Sequence, residues 1–284
     1  MNTEARQRMI ERAREGASES KKGRRIINIE PWKPSKEGSY ILDVVPYKIT
    51  RAGHPENNEM QVGELYHRRP YAYHNLSGVG AFFICPKHTF GTRCPVCEKL
   101  NRAYEDKDYT LVKEFKPKKR FLMNVVVNNS AENVLVIDGT NFPYNEKVPF
   151  VSFGSMIDRE AKSADADIKD GSSVFSYVLL DGDYSIKARF AEKEYDGRKY
   201  FDCDRVDFVK KTQKLNESLL DKAVALDDIF VETPVDVIEG YLTGSTSANV
   251  EPPRQHKYEA NNNIPDDFKK VPVPNEVSPP DTWE

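Results

Sequence analysis

Long apolar runs are missing from this chain. Nowhere in its 284 residues is there the stretch of roughly 18 hydrophobic residues that a membrane-spanning helix needs. The first residues lack the apolar core of a secretory signal, and from Glu4 onward they mix Glu with Arg too freely for an organellar transit peptide. The expectation is an untargeted protein of the cytoplasm with no membrane partner. Cysteine is scarce, four residues in all, which excludes a disulfide-stapled secreted scaffold. Nor is there an overall charge excess, since 42 Lys and Arg stand against 45 Asp and Glu and leave a net charge of -3. Any attraction to a polyanion must come from where the charges sit. What is present, 38% hydrophobic residues, is enough for a real core in one large domain or two small ones.

The charges are unevenly spread. Residues 1–25 carry eight Lys or Arg against four Glu, residues 66–120 carry twelve against five acids, and residues 249–284 carry four against seven. A basic arm and a basic middle joined to an acidic end point to a polyanion ligand and a tail with a separate role. The division expected is a basic arm and linker over 1–38, a core over 39–244 with a metal-binding subdomain around 66–112, and a disordered tail over 245–284, where seven of the eighteen prolines fall.

Local pattern places the elements. Thr3 caps an expected helix over about 4–15, with Ala5, Met9, Ile10 and Ala13 on one stripe. From Ser39 the period changes to two, and similar runs recur at Phe121–Val127, Asn133–Ile137 and Val148–Phe153, the pattern of half-buried strands. Asp181-Gly182 and Asp196-Gly197 each sit between β-rich runs, as hairpin turns do. Short turns imply antiparallel pairing, so the fold class expected is mainly β with a few helices, a small antiparallel barrel or sandwich rather than βαβ units. Ser155 to Asp158 is a capping pattern for a helix to about Lys169, while Asn216 and Thr233-Pro234 open helices over about 217–226 and 234–242.

Three of the four cysteines fall within thirteen residues, in Cys85-Pro-Lys-His88 and Cys94-Pro-Val-Cys97. Two thiolates separated by two residues grip one edge of a metal, and Zn2+ then needs two further N or S ligands to close a tetrahedron. Cys85 is one, and the other is a histidine. His88 completes a local pattern and spacing alone slightly favours it. His74 competes, because Tyr71–His74 and Gly80–Cys85 flank a turn that would pair them as a hairpin and bring His74 to Cys85. Four protein ligands leave no open position, so one Zn2+ here is structural. Cys203 stands alone and is most simply a buried apolar residue.

Around these cysteines the chain interleaves rings with cations. Tyr71, Tyr73, Phe90, Tyr104 and Tyr109 alternate along the sequence with Arg68, Arg69, Arg93 and the run Lys113, Lys116, Lys118, Lys119, Arg120. A basic groove tracks phosphates while rings stack on unpaired bases, so the combination points to single-stranded nucleic acid. Half or more of the rings must nevertheless be core.

The stretch from Tyr73-His74 through Cys85, then Cys94-Pro-Val-Cys97, then Tyr109-Thr-Leu-Val-Lys113 ahead of the strand Phe121–Val127, resembles the zinc-containing single-stranded-DNA-binding protein of T-even and related tailed phages. Agreement is good over about 60–130 and looser at the Tyr195-Asp196-Gly197 hairpin. The resemblance implies an OB-fold core with an inserted zinc subdomain, an aromatic and basic cleft, and no catalytic activity. It also implies His74 as the fourth zinc ligand, reversing the local preference for His88, because the family's histidine lies upstream of the first cysteine. Phe90, Tyr104, Tyr109 and Tyr195 fall near family ring positions. The role implied is to coat and protect single-stranded DNA, largely without regard to sequence, in phage replication, recombination and repair in the host cytoplasm. Neighbouring protomers would meet through the N-terminal arm, and replication and recombination proteins through the acidic tail. The arm departs from the family pattern, its nearest approach to the expected Lys/Arg–Ser/Thr cluster being Ala17 to Lys22.

The rival readings differ in class. A zinc deaminase wants His-x-Glu and Pro-Cys-x-x-Cys, and neither is present: His74 is followed by Asn75 and Leu76, and the proline lies inside the knuckle. An RNA-binding regulatory zinc protein would use similar stacking. A zinc-stapled interaction module without nucleic acid would keep every ring in its core.

Overall fold

A computed structural model describes residues 26–56, 59–130, 133–141 and 152–244. The helix expected over 4–15, most of the run from Val148 and the acidic tail lie outside these residues. Among those described the strands are β1 Gly38–Val45, β2 Tyr47–Lys48, β3 Leu65–Tyr66, β4 Arg69–Leu76, β5 Ala81–Ile84, β6 Lys118–Val127, β7 Leu135–Thr140, β8 Tyr184–Tyr195 and β9 Arg198–Lys210. The helices are α1 Pro86–Phe90, α2 Pro95–Glu105, α3 Tyr109–Phe115, α4 Phe153–Ala166 and α5 Val235–Thr243.

Seven strands form one open antiparallel sheet in the order β5-β4-β6-β1-β8-β9, with β7 also paired to β6. The registers explain how β6 serves three neighbours. β7 pairs with residues 120–125 of β6, while β4 takes 118–122 and β1 takes 124–127. A strand has two edges, so β4 and β1 share one of them end to end and Met123 marks the junction. The barrel closure that the resemblance implied is not seen in this strand order.

The two faces are packed differently. Leu42, Val44, Met123, Val125, Ile186 and Ala188 point to one face and are covered by Phe153, Met156, Ile157 and Ala161 of α4. The ring of Phe121 lies against β7 on this side, where a Cβ at Gly139 would stand 2.4 Å from it. The opposite face carries Tyr71, Leu122 and Val136 and is covered by Ile26, Ile27, Ile29, Leu226, Ile229 and Phe230.

That cover is one of the departures from sequence expectation. Residues 26–32 fall in the stretch read as a linker, yet Ile27 bridges to Phe230 and Trp32 to Ile137, because three isoleucines in four positions bury better than they solvate. Asp196-Gly197 does turn the β8–β9 hairpin, with both residues at positive φ. Asp181-Gly182 does not make a hairpin. It closes a tight turn in which Gly182 donates to the carbonyl of Leu179, and an added Cβ would stand 1.8 Å from the carbonyl oxygen of Ser176. α4 begins at Phe153, one turn before the expected capping pattern fits, because Ser152 accepts the N–H of Ser155. Residues 217–222 form only a 3-10 turn, capped by Asn216 as expected.

Candidate metal centre and nucleic-acid interface

β4 serves two faces. Tyr71 and Tyr73 look toward the sheet face covered by Phe230, while Ala72, His74 and Leu76 look into a separate small core with Ala81 and Phe83 of β5. Because side chains alternate along a strand, a one-residue slip would exchange the two sets. Val96 and Leu100 of α2, Phe115 of α3, and Ile238 and Tyr241 of α5 close the small core.

His74, Cys85, Cys94 and Cys97 meet inside it, all four buried, with their ligand atoms within 4.8 Å of one another. The hairpin that pairs His74 with Phe83 carries the histidine to this point, and His88 stays exposed on α1, outside the cluster. Cys85 precedes α1 and Cys94 precedes α2, each followed by proline at the first helical position, and Cys97 lies in the first turn of α2. Helix N-termini favour the thiolate form.

The spacings suit a tetrahedral centre. Cys85 Sγ is 3.9 Å from Cys94 Sγ and 3.5 Å from Cys97 Sγ, and His74 Nε2 is 3.5 Å and 3.6 Å from Cys94 and Cys97. Bonds of about 2.3 Å to sulfur and about 2.0 Å to nitrogen give tetrahedral edges of about 3.5 to 3.8 Å. The carbonyl of Phe115, 2.9 Å from Nδ1, can only accept, so Nδ1 carries the proton and Nε2 presents its lone pair to the sulfurs. No disulfide forms, as all four cysteines of the chain are free. Hydrogen bonds with Cys94 and then Cys97, followed by burial, push the Cys85 thiol above its usual range, so three thiolates share this space only with a cation to neutralise them.

On the other face of β4, the half-buried ring of Tyr73 lies edge-on to Phe82, centroids 4.8 Å apart, with Lys118 Nζ 6.0 Å from its centre. Ile84, the β5 partner of Tyr73, leads on to a groove of about 390 Å3 lined by Ile84, Pro86, Phe90, Thr92 and the segment Glu232–Val235. The guanidinium of Arg51 lies 5.4 Å from the Phe90 centroid. Lys113, Lys116, Lys118 and Lys119 are all exposed. Tyr104 on α2 and Tyr109 on α3 are 50% and 72% exposed, and Tyr195, at 77%, stands at the β8–β9 turn with β6 and β1 between it and β4.

Other expected contacts are held inside the protein. Arg69 is 2% exposed; it donates to Asp227 and, at 3.0 Å each, to the carbonyls of Pro70 and Thr89. Tyr71 is as buried and donates to Asp138 at 3.0 Å. Neither can reach a phosphate or a base, which removes both from the contact set. Arg68 is held by Glu56 and Asp158 at 2.7 and 2.8 Å, and Arg120 by Asp138 at 2.7 Å, with most of each side chain covered. Arg93 is exposed and pairs with Glu98 and Glu239.

His54 lies deep beside this network, 1% exposed, with its ring edge-on to Tyr66 and its Nδ1 accepting the N–H of Glu56. Burial, and then the nearby Arg69 charge, lower its pKa from 6.5 to about 4. The unfolded chain therefore binds this proton first. Stability is full above pH 6.5 and falls as pH drops from 6.5 toward 4, by up to about 3 kcal/mol. Urea midpoints measured across that range should show the slope, and it should shrink in His54→Gln.

A family model described as gp32 DNA binding protein like matches residues 70–238, from β4 to the middle of α5 and across every member of the metal cluster. The chain belongs to the gp32-like DNA-binding family. No curated protein sequence matches it. The gp32-like match begins on the strand that carries both Tyr73 and His74, so the His/Cys cluster, Tyr73, Phe82, Phe90 and Lys118 lie within the family region and Arg51 lies outside it. Arg51 lies outside the expected basic run, and Phe82 stands among the rings around the cysteines without being singled out by the sequence. Sequence reading missed Asp227, whose partner Arg69 is 158 positions away.

Proposed function

We propose that this chain binds single-stranded DNA on the β4–β5–β6 face, beside a structural zinc centre formed by His74, Cys85, Cys94 and Cys97. Tyr73 carries the reading. It offers a ring flanked by Phe82 and Lys118 on the strand whose opposite face supplies His74 to the cluster. Stacking of a base on such a ring contributes about 1–3 kcal/mol, and the exposed lysines track the phosphates. Zinc, with four protein donors, ties β4 to α1 and α2 and holds that face rigid. No step of catalysis is required.

The working contact set is Tyr73, Phe90, Arg93, Lys113, Lys116, Lys118 and Lys119, with Tyr104, Tyr109 and Tyr195 as outlying rings. A protein that prefers single strands melts duplex by mass action. Each base-pair step costs about 1.4 kcal/mol to open, within reach of several stacked bases. The division into arm, core and tail, the OB type of the core and the coating role in replication, recombination and repair are assigned by family resemblance. So are self-association through residues 1–38, recruitment of partners by residues 245–284, and action in the host cytoplasm.

Titration of intrinsic fluorescence with a mixed-sequence oligonucleotide, its duplex and the matching RNA tests this reading. The expected result is salt-steep quenching by the single DNA strand, weak response to duplex, and a loss of about 5- to 150-fold in affinity for Tyr73→Ala. Equal affinity for duplex, or none for the single strand, would refute it, and preference for the RNA would favour the regulatory alternative.

A further inference from the structure

We infer that the α5 segment restrains DNA binding: Glu232 and Glu239 occupy two arginines, Arg51 and Arg93, that phosphates of the single strand take over. The inference rests on the proposed single-strand reading and adds both a contact, Arg51, and a built-in competitor.

Two arginines stand beside lining residues of the groove at Phe90. Arg51 lies over the Phe90 ring and its Nη1 pairs with Glu232, a lining residue. Arg93 follows the lining residue Thr92 and its Nη1 reaches Glu239 at 2.7 Å. Glu239 is four residues beyond the lining residue Val235 on α5 and shares its helix face. One short segment, 232–239, thus places a carboxylate on both cations. That segment is anchored independently of the ion pairs, because Ile238 and Tyr241 are buried in the metal subdomain core. Arg93 and Glu239 are exposed, at 57% and 47% of their side chains, while Arg51 and Glu232 are half-buried, at 40% and 44%. Pairs this open to solvent are held weakly, so a phosphate can displace the carboxylate. The groove lies on the face that presents Tyr73 and Lys118, so a strand stacked there passes its mouth.

Each arginine keeps a second acid, Asp228 at 3.7 Å from Arg51 and Glu98 at 2.9 Å from Arg93, so removing Glu232 and Glu239 frees them in part. Releasing one cation to a single strand steepens the salt dependence of binding by about 0.7 and raises affinity about fourfold near 0.15 M salt. Full release of both would give roughly fifteenfold.

The full-length chain and its Glu232→Gln/Glu239→Gln variant would be titrated with a mixed-sequence oligodeoxynucleotide of about 16 nucleotides at several salt concentrations. Glu160→Gln/Asp170→Asn gives the same change in net charge away from this face and serves as control. The expected result is a gain of about fourfold or more with a steeper slope for the first variant only. Adding Arg51→Ala and Arg93→Ala to it should abolish the gain. Unchanged or weaker binding by the variant, an equal gain in the control, or a gain that survives loss of both arginines would overturn the inference while leaving the single-strand reading intact. Absence of binding by the wild-type chain would instead overturn that reading.

Discussion

Protein carrying Cys97→Ser is expected to lose its bound zinc, which the wild-type chain should hold at one per molecule. Structural zinc sites of this donor type contribute about 10–16 kcal/mol of apparent binding energy at neutral pH. That rivals the whole stability of an ordinary domain, about 5–15 kcal/mol, so the small core around Val96, Leu100 and Phe115 should open when the metal is lost. Hydrogen exchange should show the loss concentrated in α2, α3 and β5. The sheet face packed by α4 has its own core and should stay protected. DNA affinity should fall steeply, because the strand that loses His74 as a ligand is the one that presents Tyr73. His88→Ala should keep full zinc content, since that side chain stands outside the cluster. Stoichiometric zinc in Cys97→Ser, or its loss in His88→Ala, would show that the metal is held elsewhere.

Asp227→Ala should be the most damaging single change outside the metal centre. Its carboxylate is 1% exposed, pairs with the buried Arg69 and also accepts the N–H of Thr50 at 2.9 Å. Taking away one partner of a buried pair leaves the other charge unsatisfied and costs about 3–5 kcal/mol. The double change Arg69→Met/Asp227→Leu removes both charges and should recover most of that loss, short of full recovery because Thr50 N–H remains unpaired. Urea unfolding measures the stability, and titration of the same proteins with single-stranded DNA separates the two roles open to Arg69. The double variant should bind DNA like the wild type. A folded double variant with tenfold weaker binding would restore Arg69 to the contact set.

Some of this was readable in the sequence because the physics is local. The Cys94-Pro-Val-Cys97 knuckle follows from helix geometry, which puts a residue ahead of a helix beside one in its first turn. The Asp196-Gly197 turn follows from the positive φ that both residues accept, and the period-two runs announced β1, β6 and β7. Asn216 caps the turn that follows it by accepting the N–H of Ser218, and Pro234 stands one residue ahead of α5 rather than at its first helical position.

Other features depend on which residues meet across the fold. His74 displaced His88 because the β4–β5 register, with its His74–Phe83 pair, points the first inward while α1 leaves the second in water. Arg69, Tyr71 and Tyr73 follow one another on one face of β4 and look equivalent as a string of basic and aromatic residues. Only tertiary packing separates them: Asp227 and Phe230 arrive from far along the chain and bury the first two, while the third stays half-open beside Lys118. Composition and spacing thus determined that this chain would be a β-rich protein with a cysteine cluster spaced as metal ligands are and a concentration of rings and cations. Which of those rings and cations face solvent was decided by the sheet's strand order and its covering segments, because burial depends on contacts between residues more than a hundred positions apart.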